Sequence, residues 1–188
     1  PRIGHLERAK RVYGYLYQFR DAALRIRTDE PDYSDLPDQD FDWMYTVYGN
    51  VEEVIPSDAP KPLGKPVHMT HYLDANLMHD MLTGRSVTGI LSLLNQFPVE
   101  WYCKKQATVE TATYGSEFVA SRTAVERDLD LRHTLRYLGV PVSHKAYMFG
   151  NNESVVNSPS THPATLHKRH NHHLFTRVLQ SMHHRDIA

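Results

Sequence analysis

Two carboxylates and one amide stand where predicted secondary-structure elements begin or end. Asp74 closes a strand predicted over 67–73, Glu117 opens a helix predicted over 116–138, and Asn151 follows another predicted strand. Carboxylates from distant segments can meet at one edge of a sheet, where two divalent cations ~4 Å apart could flank a phosphodiester. An amide at the third position offers a metal one oxygen but no charge.

Each of these residues also has an ordinary structural interpretation. An Asp at a strand end can satisfy backbone donors, and a Glu in the first turn of a helix is stabilised by the helix dipole. Taken singly, neither Asp74 nor Glu117 indicates catalysis. Only the two residues together, in a fold that brings them close to each other, would indicate catalysis.

The N-terminal third of the chain predicts a helix followed by an irregular connector. Residues 1–27 place Ile3, Leu6, Tyr13 and Leu16 on one helical stripe, which must pack on something. The stretch 29–65 is rich in proline and acidic residues and has little periodicity. Its aromatic residues suggest that it lies pinned on a surface; they are Tyr33, Phe41, Trp43, Tyr45 and Tyr48.

The rest of the chain predicts a mixed sheet of the α/β class. Strands at 67–74, 86–94 and 99–103 form an antiparallel meander, with residues 95–98 as the turn between the last two. The helix over 116–138 then carries the chain across to a fourth strand, 145–149, which can pair in parallel with the first only through that crossover. A further helix is predicted over 166–182, and Trp101 and Tyr102 are expected to pack in the core.

Four segments, read in order, resemble the ribonuclease H domain of copia-type retrotransposon polyproteins. They are Tyr72-Leu73-Asp74-Ala75-Asn76, Thr83-Gly84-Arg85-Ser86-Val87-Thr88-Gly89, Trp101 to Gln106 with Ser116-Glu117-Phe118, and Tyr147-Met148-Phe149-Gly150-Asn151-Asn152. Residues 1–16 also look like the segment that joins polymerase to ribonuclease H in that family. The resemblance implies a connection segment at 1–66 and a ribonuclease H-like domain at 67–188.

The resemblance also implies a site. In the family, an Asp on the first strand, a Glu opening the first long helix and an Asp ending the fourth strand gather two Mg²⁺ ions. Asp74 and Glu117 match the first two positions, and Asn151 stands at the third, so the site has lost one negative charge. We expect the family's fourth carboxylate and the C-terminal part of the fold to be missing, because Ala188 is reached before any such segment.

Two functions from different classes follow. The first is a catalytically inactive domain that serves as a structural or interaction subunit in an assembly with other protein chains, with no cofactor. The alternative is a Mg²⁺-dependent ribonuclease H fragment that cleaves RNA in RNA/DNA hybrids, with Asp74 and Glu117 as ligands and Asn151 as a weakened third. Hybrid binding without cleavage lies between them and predicts strong salt dependence.

Other charged groups give weaker signals. Lys104 and Lys105, with Lys168 and Arg169, could contact a phosphate backbone, although a lysine pair on a loop is usually solvated. A His cluster at 167–173 lacks the Cys or carboxylate that would complete a zinc site.

Composition limits the remaining possibilities. The 188 residues carry a formal net charge of -1, so no overall basic field attracts nucleic acid. A single cysteine excludes an internal disulfide framework. No apolar run is long enough to span a membrane, and we expect an intracellular protein.

Overall fold

The computed structural model describes residues 3–23, 25–35, 55–142 and 145–155. The predicted helix at 166–182 and four of the connector's five aromatic residues lie outside this part of the chain. Among the described residues, no helix is long and apolar enough to cross a bilayer. The elements are α1 (Ile3–Gln18), β1 (Met69–Asp80), β2 (Arg85–Leu94), β3 (Phe97–Lys105), α2 (Thr113–Tyr137) and β4 (Tyr147–Gly150).

The four strands form one mixed sheet in the order β3-β2-β1-β4. β1 pairs antiparallel with β2, and β2 with β3, whereas β4 pairs in parallel with β1. The parallel pair is possible because α2 crosses over one face of the sheet between β3 and β4. This is the mixed sheet of the ribonuclease H-like fold, as the sequence predicted.

The prediction that Asp74 ends the first strand was wrong. β1 continues to Asp80, and Asp74 lies opposite Gly89 of β2 in the middle of the strand. From Tyr72 to Asn76 exposed residues alternate with buried ones, and beyond Ala75 no residue of the strand is buried. The apolar pattern that predicted the strand therefore fades before the backbone pairing does.

The turn between β2 and β3 is shorter than predicted. Leu94 pairs with Phe97, so only Asn95 and Gln96 form the loop, and Asn95 takes a left-handed backbone conformation with φ of 54°. Pro98 lies within β3, where it is tolerated because β3 is an edge strand.

Helix α1 is also shorter than predicted, ending at Gln18 instead of continuing to residue 27. The chain beyond it is held in a non-helical conformation by the β2–β3 turn: Asn95 Nδ2 donates to the Thr28 carbonyl (3.0 Å), and Gln96 Nε2 donates to the Glu30 carbonyl (3.4 Å). No residue of α1 is buried, so the apolar stripe expected to pack on a neighbour has none within the described residues.

Helix α2 covers one face of the sheet and makes the core. Its residues Phe118, Ala120, Ala124 and Val125 are each at most 1% exposed and pack against the inward side chains of β1 and β2. Complete burial of a side chain such as Phe118 stabilises the fold by about 2 to 3 kcal/mol. Leu138, predicted on the same stripe, is 68% exposed because α2 ends just before it.

A polar network lies inside this core. His71 of β1 bonds through Nδ1 to Ser92 Oγ of β2 (2.9 Å) and through Nε2 to Asp128 Oδ1 of α2 (2.9 Å), and Arg132 Nε lies 3.8 Å from Asp128 Oδ2. All four residues are at most 3% exposed. A Ser, a His and an Asp in line resemble a nucleophile with its base, but no substrate can reach a serine buried in this way. The network is therefore structural and joins three elements.

Removal of its carboxylate should be costly. We expect Asp128→Ala to lower the free energy of unfolding by about 3 kcal/mol, because it leaves His71 Nε2 without its buried partner and removes the charge beside Arg132. Urea unfolding followed by circular dichroism measures the change. The control is Asp130→Ala on the exposed side of the same helix; equal losses in the two variants would contradict a structural role for the network.

Candidate functional site

The structure brings two of the predicted site residues together where β4 ends. Parallel pairing stops at Leu73 of β1 and Gly150 of β4, and Asp74 and Asn151 directly follow these two residues. Asn151 Nδ2 donates a hydrogen bond to Asp74 Oδ1 (3.1 Å), and both residues are exposed. The amide thus contacts the very carboxylate that a metal site would use.

Glu117 reaches the same place from the N-terminal part of α2. Because β4 no longer pairs with β1 beyond Leu73, the backbone N–H of Ala75 is available to donate to the Glu117 carboxylate. Glu117 is only 3% exposed, and its Oε2 atom has no hydrogen-bond partner among the described residues. Burial, and secondarily the charge of Asp74, raise the pKa of the Glu117 carboxyl above its ordinary value of 4.5.

Two residues that the sequence reading missed position this helix end. Gln106 Nε2 donates to Thr88 Oγ1 (3.0 Å) and to the Ser116 carbonyl (2.8 Å), which ties the start of α2 to β2. Glu110 packs so closely on Gly115 that a Cβ there would collide with the Glu110 carboxylate. A glycine in the first turn of a helix, shortly after a Glu, is the sequence signal for this close approach.

The donor set does not fit a pair of Mg²⁺ ions. Such a site needs several negatively charged oxygen ligands, and the residues gathered here supply two carboxylates and an amide whose N–H₂ group faces Asp74. Within the described ranges, no three or more His, Cys, Asp or Glu side chains are grouped so that they could hold a metal ion.

Of the basic residues proposed for nucleic-acid contact, the structure describes Lys104 and Lys105. Lys104 and Lys105 end β3 instead of lying on a loop, and Lys105 Nζ is 2.6 Å from Asp80 Oδ2. This ion pair, with a hydrogen bond from Thr83, lowers the pKa of the Asp80 carboxyl. Lys168, Arg169 and the His cluster lie outside the described residues.

The prediction that Trp101 packs in the core was wrong. Trp101 is 77% exposed, whereas its neighbour Tyr102 faces α2, with the Arg127 guanidinium 4.5 Å above its ring. Neighbouring strand residues point to opposite faces, and in β3 only one face is covered by a helix. Alternation in a strand tells which residues share a face but not which face is covered.

No protein-family model and no curated protein matches the chain. Among solved structures, it is similar to the N-terminal RNase H domain of Rv2228c from Mycobacterium tuberculosis, with 10% identity, a TM-score of 0.49, and coverage of 64% of this chain and 78% of that one. It is also similar to LC11-RNase H1, isolated from compost by a metagenomic approach, with 13% identity, a TM-score of 0.46, and coverage of 61% and 76%. The same enzyme in complex with an RNA/DNA hybrid matches with 16% identity and a TM-score of 0.45 over the same shares.

The raised pKa of Glu117 makes stability depend on pH. As the pH rises above about 4.5, the unfolded chain loses this proton before the folded chain does, so the free energy of unfolding falls until the folded pKa is passed. Glu117→Gln removes that fall while keeping an oxygen for the Ala75 N–H. We therefore expect the variant to be stabilised relative to wild type at pH 7 and not at pH 4, measured by urea unfolding at each pH.

The partner charge gives the control for this experiment. Asp74→Asn removes the secondary cause of the raised pKa, so the difference between pH 4 and pH 7 should shrink but persist, because burial is the larger cause. A Glu117→Gln variant with the same pH dependence as wild type would show that this carboxyl titrates normally.

Proposed function

We propose that this chain is a ribonuclease H-like domain descended from a copia-type retrotransposon polyprotein, which does not cleave nucleic acid and serves as an interaction subunit in a protein assembly. Residues 1–66 are then a connection segment and residues 67–188 the domain itself. The four sequence segments that resemble the copia family support the origin, and the ribonuclease H-like sheet order agrees with it.

The observation that carries the loss of cleavage is the hydrogen bond from Asn151 to Asp74. An Asp at this position would bring a second negative charge next to Asp74, and a cation would be needed to relieve their repulsion. The amide avoids this repulsion without a cation and donates a hydrogen bond to Asp74 Oδ1. The substitution thus stabilises the ligand-free arrangement and weakens the site for Mg²⁺ at once.

The exposed surface supports the interaction role. Every residue of α1 is exposed, including Ile3 (79%), Leu6 (58%) and Tyr13 (73%). A helix of 16 residues with so little packing is marginal in water by itself, because nucleation is costly and most helix stability in proteins comes from burying an apolar face. A partner that covers α1 would supply the missing stabilisation.

A nuclease is the second candidate, because the structure keeps Asp74 and Glu117 close enough for their charges to interact. In that case, the groups that approach a metal would be the carboxylates of Asp74 and Glu117 and the side-chain oxygen of Asn151. This function needs the Asn151 amide to turn away from Asp74 first.

Cleavage of an RNA/DNA hybrid distinguishes the two candidates. With Mg²⁺ or with Mn²⁺, we expect no cleavage by the wild-type chain, because its site lacks the third charge. Asn151→Asp restores that charge and is the matched variant, since the two side chains have nearly the same shape. Gel analysis of a labelled hybrid measures the products.

Asp74→Asn is the control for contaminating nucleases. Cleavage by the wild-type chain that disappears in Asp74→Asn would overturn the proposed function and establish the nuclease. Cleavage by Asn151→Asp alone would identify the amide as the cause of inactivity. Hybrid binding without cleavage, with an affinity that falls steeply as salt increases, would show that the partner is a nucleic acid and not a protein.

A further inference from the structure

The face of the sheet opposite α2 carries a continuous apolar row. Phe149 of β4 pairs with Tyr72 of β1, Tyr72 with Leu91 of β2, and Leu91 with Trp101 of β3, so these four side chains cross all four strands on one face. We call them the aromatic row. The rings of Tyr72 and Phe149 are stacked, with centroids 5.3 Å apart.

The aromatic row is open to solvent. Tyr72 is 48% exposed, Leu91 39% and Trp101 77%, which is unusual for large apolar side chains that adjoin one another. Contiguous exposed apolar surface of this kind marks a binding face. Rows of aromatic residues on a sheet can also stack on nucleic-acid bases, so the charges nearby must decide which partner fits.

The charges favour a protein. Two residues along β1 from the row, on the same face, stands the exposed carboxylate of Asp74, which would repel a phosphate backbone. At the end of β3, Lys105 is already paired with Asp80. The face therefore presents an apolar surface with a carboxylate beside it, and its partner should be apolar and basic.

Helix α1 has this chemistry. Ile3, Leu6, Tyr13 and Leu16 form its apolar stripe and are 57% to 79% exposed. Three of the four charged residues of the helix are basic; they are Arg8, Lys10 and Arg11, with Glu7 as the fourth. A helix of 16 residues is about 24 Å long, and a row across four strands spans about 14 Å, so one α1 can cover the whole row.

The segment that follows α1 already uses the same face. Tyr33 packs on Tyr147 and Phe149 with ring centroids 4.3 and 5.8 Å away, and its hydroxyl bonds to Thr70 Oγ1 at 2.6 Å. The described part of the connector thus begins the coverage of this face at the β4 side, where Tyr72, Leu91 and Trp101 are still 39% to 77% exposed. In a single copy α1 itself does not complete the coverage, because none of its residues is buried.

We propose that the α1 helix of one copy packs on the aromatic row of a second copy, and the reverse, in a two-fold symmetric dimer. The same contact then occurs twice, as an isologous interface requires, and both unpartnered apolar surfaces become buried. This inference rests on the proposed function, because it names a second copy of the chain as the first partner of the interaction subunit.

Light scattering at a series of concentrations tests the dimer. The wild-type chain should dimerise, and Tyr13→Glu on α1 or Trp101→Glu on the row should each weaken dimerisation by roughly thirtyfold or more, the effect typical of an interface hot spot. Tyr137→Glu is the matched control, since Tyr137 is 80% exposed on α2, away from both surfaces, and this variant should dimerise like wild type. Circular dichroism confirms that the variants are folded.

A mixture of the two defective variants tests the reciprocal contact. When Tyr13→Glu is mixed with Trp101→Glu, one pairing of an intact α1 with an intact row remains, so association should reappear at concentrations where each variant alone is monomeric. A mixture that stays monomeric overturns the exchange of α1. A wild-type monomer, or a dimer that survives both substitutions, overturns the dimer interface itself.

The hybrid-cleavage assay separates failure of this inference from failure of the proposed function. If the wild-type chain is monomeric and cleaves nothing, the dimer is overturned, and the proposed inactive subunit must have other partners. A monomer in which Tyr13→Glu alters Trp101 fluorescence would place α1 on its own sheet and overturn the second copy. Cleavage by the wild-type chain would overturn the proposed function whatever the association state.

Discussion

The parallel pairing of β4 with the first half of β1 is the contact on which the site depends. It requires the α2 crossover, which brings Glu117 to the sheet, and it places Asn151 next to Asp74. The position at which this pairing ends matters as much as the pairing itself. Because pairing stops at Gly150, the N–H of Ala75 is free to hold the Glu117 carboxylate. One short strand thus sets the positions of all three residues.

One stripe of residues on helix α2 both packs against the sheet and supplies a residue of the site. The residues that face the sheet include apolar ones such as Ala120 and Ala124, but also Glu117 near one end and Asp128 further along. Buried carboxylates are costly unless they are paired, and the two are treated differently. Asp128 is bonded to the His71 side chain and lies near the Arg132 guanidinium, whereas Glu117 is held by the backbone N–H of Ala75. Each carboxylate also keeps one oxygen without a hydrogen-bond partner among the described residues, so the stripe carries an unmet acceptor both within the core and at the site.

Much of this fold could be predicted from periodicity, and the site could be predicted only through family resemblance. The meander, the crossover helix and the parallel fourth strand follow from patterns of period two and of 3.6 residues. The strand that continues past Asp74 could not be predicted, because Asp74 and Asn76 face solvent and their pairing with β2 involves only the backbone. The exposure of Trp101 depends on which face α2 covers, which no local pattern records. Positioning by Gln106 depends on contacts with Thr88 and Ser116 that become visible only once the sheet and helix meet.

The buried network of His71, Ser92 and Asp128 has an evolutionary consequence. His71 bonds to Ser92 on one neighbouring element and to Asp128 on another, so a change at one position leaves an unmet hydrogen bond inside the core. Energies of such contacting residues are not additive, and the second and third changes cost less than the first. These three positions should therefore change together among descendants of this chain and stay constant for long periods between such joint replacements. Relatives that have replaced one of them by an apolar residue should have replaced all three.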